Sequence, residues 1–414
     1  MRILMISHGH PRYSKGGAEI AAMDLARALR ADGKNEVMFL ARSPGGKLTN
    51  TGTIFSGIAP NEMLVESTGE WFLQNQGNFG EEQIDEWVAF VKGYKPDVVH
   101  FHHYTHLGVE LLRVTKDACP NAKIVLTLHE YIALCAHNGQ MIKTGPGGAL
   151  CYRSDPKDCH RCYPDHSPED FFLRERYIKQ MFAAVDLFIS PSEFLRKRYI
   201  EWGLAEDRII FIENGQVPAE RIPPRSLAPE EARARFAYCG QINPYKGIDI
   251  VLEAVDLLPK DIKKRVSMDI YGGGLENQPA EFQAKINKLL KDNKRTVRAH
   301  GAYEPEDMPR LMGEADWVVM GSIWWENSPL VIQEAYKYGR PVICPDIGGM
   351  EEKVKDGVTG LHYRARDPAS LAMAMEKCVR ESALWETLCG NLPVPMTVEQ
   401  SAKAHAQVYA EERN

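Results

Sequence analysis

Trp324-Trp325-Glu326-Asn327-Ser328-Pro329-Leu330-Val331-Ile332-Gln333-Glu334-Ala335 is the stretch from which the rest of the chain becomes readable. The apolar run Trp317, Val318, Val319, Met320 precedes it and is short enough for a buried parallel strand. Ser328-Pro329 then offers a helix N-cap followed by a proline at the first helical position, so the pattern predicts a helix from about Pro329. The free amides and the positive dipole end of such a helix point back into the loop and make a seat for a phosphate or diphosphate. Glu326 stands just before that seat and Glu334 more than one helical turn beyond its start. Carboxylates so spaced flank an anion instead of pairing on a metal, and their chemistry is to accept hydrogen bonds from hydroxyls. Acidic residues near a helix start also serve the macrodipole alone. The two adjacent loop tryptophans and a second glycine turn, Gly348-Gly349, after the expected strand 341–345 favour the ligand reading. A phosphate between two hydroxyl acceptors describes a nucleotide-sugar.

The 414 residues are too many for one hydrophobic core and suit two domains. The net charge of −6, with no stripe of lysine or arginine interleaved with aromatics, argues against a nucleic-acid partner. No run of about eighteen uncharged apolar residues is present and the first residues enter a strand directly, so the expected compartment is the cytosol. Nine cysteines, an odd number, fit reduced thiols better than a disulfide framework. The absence of any Asp-x-Asp counts against a diphosphate gripped through a metal held by that motif.

In order along the chain, residues 2–7 read as a strand, and Gly16-Gly17 as a turn that lets backbone approach a ligand before a helix with the inner stripe Ala18, Ala22, Leu25 and Leu29. Strands at 36–41, 97–102, 123–129 and 187–192 alternate with helical stretches, which implies a parallel doubly wound α/β sheet. Functional residues on such a sheet gather at the carboxyl ends of the strands. His100, His102, His103, His106 and His129 lie there, either as polar edge residues, as catalysts or as metal ligands. Two basic amphipathic stretches, 174–184 and 194–202, present either a solvated basic face or a peripheral contact for an anionic membrane surface. Proline and charge accumulate from Asn214 to about Arg233 and mark the domain boundary, placing a first domain at 1–215 and a second at 216–395, with a final helix over 396–414. The second domain opens with a strand at 236–240, the turn Gln241 to Gly247 and a helix from Ile248, with Lys246 set to meet a phosphate.

Glu-x7-Glu (Glu326 and Glu334), followed by Gly339-Arg340-Pro341-Val342-Ile343, Gly348-Gly349 and Asp356-Gly357-Val358-Thr359-Gly360, resembles the donor half of the retaining GT-B glycosyltransferases of family 4, and Gly16-Gly17-Ala18-Glu19 resembles their first glycine turn. The resemblance implies two Rossmann-like domains facing a cleft, acceptor on the first and donor on the second, and transfer of a sugar from a UDP-, GDP- or ADP-sugar to a glycan, lipid-linked or small-molecule acceptor with retained configuration. It implies catalytic roles for His129, Glu326 and Lys246. It also implies donor binding by Gly16, Gly17, Gln241, Lys246, Glu326, Asn327, Ser328, Pro329, Leu330 and Glu334, without a catalytic cofactor. Gln241 departs from the family, which often carries arginine there. A nucleotide-sugar epimerase, a phosphorylase of the same architecture and a catalytically silent nucleotide-sugar-binding subunit are the competing functions.

One motif falls outside the resemblance. Cys159-His160-Arg161-Cys162 is a two-residue knuckle, and Cys135 and Cys151 precede it in an irregular insertion, about 135–166. Four thiolates at this spacing predict a structural zinc, against four reduced thiols, two disulfides, or substitution of one cysteine by His137, His160 or His166.

Overall fold

In the computed structural model the chain divides into two compact units, Met1–Val217 with Met396–Asn414, and Pro218–Pro395. The structure describes residues 1–14, 16–45, 52–67, 70–145 and 147–411.

The first unit is built on strands β1 (Arg2–Ser7), β2 (Glu36–Arg42), β3 (Phe55–Ala59), β4 (Glu62–Val65), β5 (Glu70–Trp71), β6 (Gln76–Gly77), β7 (Val98–Phe101), β8 (Lys123–Thr127), β9 (Leu187–Ser190) and β10 (Ile209–Phe211). Among the described residues all but β5 and β6 join one sheet in the order β10-β9-β8-β7-β1-β2-β4-β3. The pairs are parallel except β3 on β4, an antiparallel edge that the alternating pattern did not predict. Strand β1 lies at the centre as Arg-Ile-Leu-Met-Ile-Ser, buried on both faces, which is why it reads as a continuous apolar run. The helix Gly17–Ala31 buries Ala22, Leu25, Ala26 and Leu29 against this sheet. The last helix, Val398–Ala410, packs on that same helix and closes the core with Ala402 and Tyr409. The tail of the expected 396–414 helix, residues 412–414, lies outside the described residues.

The amphipathic stretches begin earlier than their basic composition suggested, at Pro168–Phe182 and Glu193–Glu201, because Ser167 and Ser192 accept hydrogen bonds from Asp170 N and Leu195 N as N-caps. Arg174 does not belong to the solvated face expected of it. It is buried, and its guanidinium donates to the carbonyl of Ala133 at 2.7 Å and to Asn75 Oδ1 at 3.2 Å.

The second unit is a six-stranded parallel sheet among the described residues: β11 (Arg235–Cys239), β12 (Ser267–Tyr271), β13 (Val297–Gly301), β14 (Trp317–Val319), β15 (Val342–Pro345) and β16 (Gly360–Tyr363), in the order β13-β12-β11-β14-β15-β16. The order in which strands are added reverses between β11 and β14, the place where such sheets open a crevice for a ligand. The start of β14 is pinned by Asp316, almost fully buried, which accepts from Arg225 at 2.9 Å and Arg233 at 3.3 Å. Trp317 fills the core beneath and donates its indole N–H to the carbonyl of Arg233 at 2.9 Å. Arg340 of the Gly-Arg-Pro turn is also buried, donating to the carbonyls of Met312 and Ala315. Three arginines and a tryptophan therefore use backbone carbonyls and one aspartate to set the height of β14, and with it the loop that follows.

Candidate active site

Three loops at the carboxyl ends of β11, β14 and β15 meet in the second unit. After β11, Asn243 caps the short turn Pro244–Lys246 by accepting from the amides of Tyr245 and Lys246 at 3.0 Å each. After β14, the loop from Gly321 to Ser328 is tied to that turn by the Ile323 amide donating to the carbonyl of Tyr245 at 2.9 Å. Gly247 has φ +61°, and a Cβ there would lie 1.8 Å from the carbonyl oxygen of Gly321, so only glycine lets the two loops touch. After β15, the Gly349 amide donates to the carbonyl of Glu326 at 2.7 Å, and a Cβ on Gly349 would fall 1.6 Å from the carbonyl oxygen of Asn327. Gly349, in the glycine turn singled out in the sequence, and Gly247, at the end of the Gln241–Gly247 turn, are thus close approaches of backbone to the acidic loop.

These contacts deliver Lys246 and Glu326 to one point. Lys246 Nζ lies 2.7 Å from Glu326 Oε1, and the same oxygen accepts from Ser322 Oγ at 2.7 Å and Trp324 Nε1 at 3.1 Å. Glu326 is only 5 % exposed, so it is this set of donors, more than solvent, that compensates its charge. The sequence sets Lys246 against a phosphate and Glu326 against hydroxyls as separate contacts; only the fold pairs the two with each other. Trp324 was marked as a loop aromatic, and Ser322 carried no signal at all.

The helix after the acidic loop runs Leu330–Lys337, one residue later than predicted. Pro329 is its N-cap, with ψ 118°, and no side chain caps the helix. Ser328 is therefore not the cap; its buried hydroxyl has no partner in the structure. The reason is geometric: with the proline itself in the capping position, Ser328 is one residue too far back for its oxygen to reach the first-turn amides. Proline also lacks an N–H, so of the stretch Asn327, Ser328, Pro329, Leu330 only the other three residues have an amide to offer an anion. Glu334 faces a partly enclosed environment beside Tyr303, Cys239 and Tyr338, and burial pushes its carboxyl up to about 7 while Lys337 pulls slightly the other way. Gln241 is exposed on the turn that carries Lys246. At the neighbouring strand ends Tyr271 and His300 stack, ring centroids 4.6 Å apart, with His300 Nε2 2.7 Å from Asp269 Oδ1.

In the first unit, Gly16 precedes the helix at Gly17, whose nearby Glu19 is buried and accepts from Ser14 Oγ at 2.5 Å, with His8 Nε2 at 3.4 Å. His129 lies just beyond β8, and its Nε2 is 3.0 Å from His102 Nδ1. His100, two residues before His102, bridges Tyr409 OH at 2.6 Å and Thr127 Oγ1 at 2.7 Å. Burial lowers the whole group: His129 falls to about 3 and His405 to about 4, and His100, His102 and His103 also drop well below their ordinary value. His129 is therefore a neutral hydrogen-bonding group near pH 7, unable to act there as a standing cation.

Cys135, Cys151, Cys159 and Cys162 line one cavity of about 20 Å³ with Leu134 and Phe171, so the insertion does bring all four thiols to one place. Among the described residues no three His, Cys, Asp or Glu side chains are grouped to hold a metal ion. Cys151 Sγ is turned to the carbonyl of Arg153 at 3.2 Å, and Cys159 and Cys162 are carried on the helix Pro156–Cys162.

With this geometry in view, comparison with known proteins gives one consistent answer. The family described as Glycosyltransferase Family 4 matches residues 15–219, and Glycosyl transferases group 1 matches residues 220–388, in tandem across both units. The chain belongs to the GT-B glycosyltransferases of family 4 and is a glycosyltransferase. Among its relatives are the glycogen synthase of Mycobacterium tuberculosis (strain CDC 1551 / Oshkosh), 26 % identical over 92 % of this chain and 87 % of the relative. The D-inositol 3-phosphate glycosyltransferase of Streptomyces bingchenggensis (strain BCW-1) is likewise 26 % identical, over 99 % of this chain and 89 % of the relative. The fold resembles that of sucrose-phosphate synthase from Thermosynechococcus elongatus, with a TM-score of 0.71 at 18 % identity over 99 % and 98 % of the two chains. It also resembles Anabaena HepE in complex with UDP-glucose, with a TM-score of 0.66 at 16 % identity over 99 % of each.

Proposed function

We propose that this glycosyltransferase moves a sugar from a nucleoside-diphosphate sugar to a glycan, lipid-linked or small-molecule acceptor, with retention of anomeric configuration, in polysaccharide or glycoconjugate biosynthesis. The observation that carries the reading is the convergence of Lys246, Glu326 and the start of the helix Leu330–Lys337 at the switch point of the second sheet. A cation and main-chain amides beside a diphosphate stabilise the charge that develops as it leaves, and a carboxylate that accepts sugar hydroxyls orients the reacting carbon. Glu334, one turn on, accepts from the ribose, and neutral His129 meets the sugar through a hydrogen bond. UDP and UDP-glucose in complexes of the structurally similar HepE support a nucleotide-sugar as donor. A thermal-shift panel of UDP-, GDP- and ADP-sugars identifies the donor, because a ligand at about a hundred times its dissociation constant adds about 2.7 kcal/mol of stability. Product analysis then separates transfer from epimerisation, and the anomeric configuration of the product tests retention. Failure to hydrolyse any donor or to glycosylate any acceptor would leave the silent-subunit reading in its place.

The reading includes work in the cytosol with peripheral contact to an anionic membrane. No helix among the described residues is long and apolar enough to cross a membrane. Support for contact comes from Phe172 and Leu173, 55 % and 59 % exposed on the helix Pro168–Phe182. Co-sedimentation with vesicles containing anionic lipid, lost in Phe172→Ser, tests it. It also includes a structural zinc on Cys135, Cys151, Cys159 and Cys162, supported by their shared cavity; binding requires the thiols to turn inward, Cys151 leaving the Arg153 carbonyl.

A further inference from the structure

Glu326 carries three donors on a single oxygen, and they differ in kind. Lys246 is a mobile cation on a four-carbon stem, its side chain 29 % exposed and its ammonium 5.7 Å from the centre of the Trp324 ring. Ser322 and Trp324 are neutral donors belonging to the same loop as Glu326, and Ser322 is buried. A diphosphate arriving at this point competes with the carboxylate for the lysine, since it offers more negative charge and more acceptor oxygens. It also brings like charge toward Glu326, whose carboxylate would swing away or lose its orientation if the lysine were its sole anchor.

We propose that Trp324, through its indole N–H, and Ser322, through its hydroxyl, are positioning residues that keep the Glu326 carboxylate fixed by Oε1 when the donor diphosphate draws Lys246 off it. Glu326 is then the resident counter-ion of Lys246 in the free protein and a pre-oriented hydroxyl acceptor in the complex, with its second oxygen left to meet the sugar. The switch costs no rearrangement of the loop, because the two neutral donors hold throughout and only the lysine moves. This rests on the roles proposed above for Lys246 and Glu326.

The test uses the full chain and W324F, which keeps the ring and removes the N–H, beside S322A and E326Q, with melting temperatures matched to the wild type as a check on folding. W324F and S322A should bind the nucleoside diphosphate of the preferred donor within about twofold of wild type while kcat falls about tenfold or more, since each loses one hydrogen bond to a charged group. Tryptophan emission supplies a readout that a packing role would not move: the change that nucleoside diphosphate produces in the wild type, as the ammonium leaves the Trp324 indole, should persist in S322A, which keeps both groups. Impaired E326Q beside W324F and S322A of normal kcat would overturn the positioning role alone. E326Q of normal kcat would instead remove the role of Glu326, and with it the need for its supports. Equal losses of nucleotide affinity and kcat in W324F would overturn the proposal too, by showing that Trp324 serves the nucleotide.

Discussion

Replacing Glu334 by glutamine isolates a carboxyl of the site that burial has displaced from its ordinary value. Its folded-state value of about 7 stands above the ordinary 4.5. Between these values the unfolded chain has released the proton that the folded chain still holds, so stability falls as pH rises. The contribution is fully present below about 4.5 and lost above about 7. At about 1.4 kcal/mol per pH unit, the ionised carboxyl costs the fold on the order of 3 kcal/mol, less whatever its residual exposure screens. Glu334→Gln lacks this loss. Melting curves of the variant and the wild type should nearly coincide at pH 4.5 and separate toward pH 8, the variant melting higher by up to roughly 6–12 °C before that screening, given about 2–4 °C per kcal/mol for units of this size. Saturating nucleoside diphosphate should narrow that gap, because ribose hydroxyls donating to the ionised carboxylate compensate the charge that burial penalises, and glutamine is the poorer acceptor. A difference between the two proteins that stays flat from pH 4.5 to 8 would refute the burial argument. A gap that opens with pH but ignores the nucleotide would refute the ribose contact.

Other expectations follow from the same geometry. Glu326→Gln should tighten binding of the free nucleoside diphosphate severalfold by calorimetry, because Lys246 no longer has to leave a carboxylate 2.7 Å away, while turnover drops; unchanged affinity would mean that Lys246 does not face the phosphates. Gln241→Arg adds a cation to an exposed position on the same turn and should tighten diphosphate binding with a steeper salt dependence, seen by titration at two ionic strengths. Gly349→Ala drives a Cβ to within 1.6 Å of the Asn327 carbonyl oxygen and should cost about 1–3 kcal/mol or displace the acidic loop, read as a lower melting temperature together with weaker nucleotide binding. Elemental analysis of protein purified without chelator should find about one zinc per chain, lost in Cys162→Ser with destabilisation of the first unit; protein that is metal-free yet fully folded and active removes the zinc.

Much of the architecture was legible because its signals are local. A buried parallel strand has to be apolar throughout, so β1, β11 and β14 announce themselves as short continuous runs between turn residues. The close approaches at Gly247 and Gly349 are likewise written as glycines, since no other residue fits. The antiparallel edge β3–β4 and the pair β5–β6 were missed, being short. The start of the helix at Leu330 moved by one residue because Ser-Pro is compatible with either residue as cap, and the choice depends on a ψ angle that the surrounding loops impose.

From the sequence alone came the two parallel-sheet units, the family, and a list of residues able to bind phosphate and hydroxyls: Lys246, Glu326 and Glu334 among them. Those follow from residue type and spacing, which the chain carries along its own length. The tertiary structure alone decided which of these groups meet. Lys246 and Glu326 are 80 residues apart, and they share a carboxylate oxygen with Ser322 and Trp324 only because Asp316, Arg340 and two glycines set three loops at one height. It also decided that Arg174 is buried among carbonyls and not displayed on a basic face, and that the four cysteines of the insertion share one cavity. Hydrogen bonds and ion pairs act over about 3 Å, a distance for which separation along the chain has no bearing, so partnership is a property of the folded coordinates.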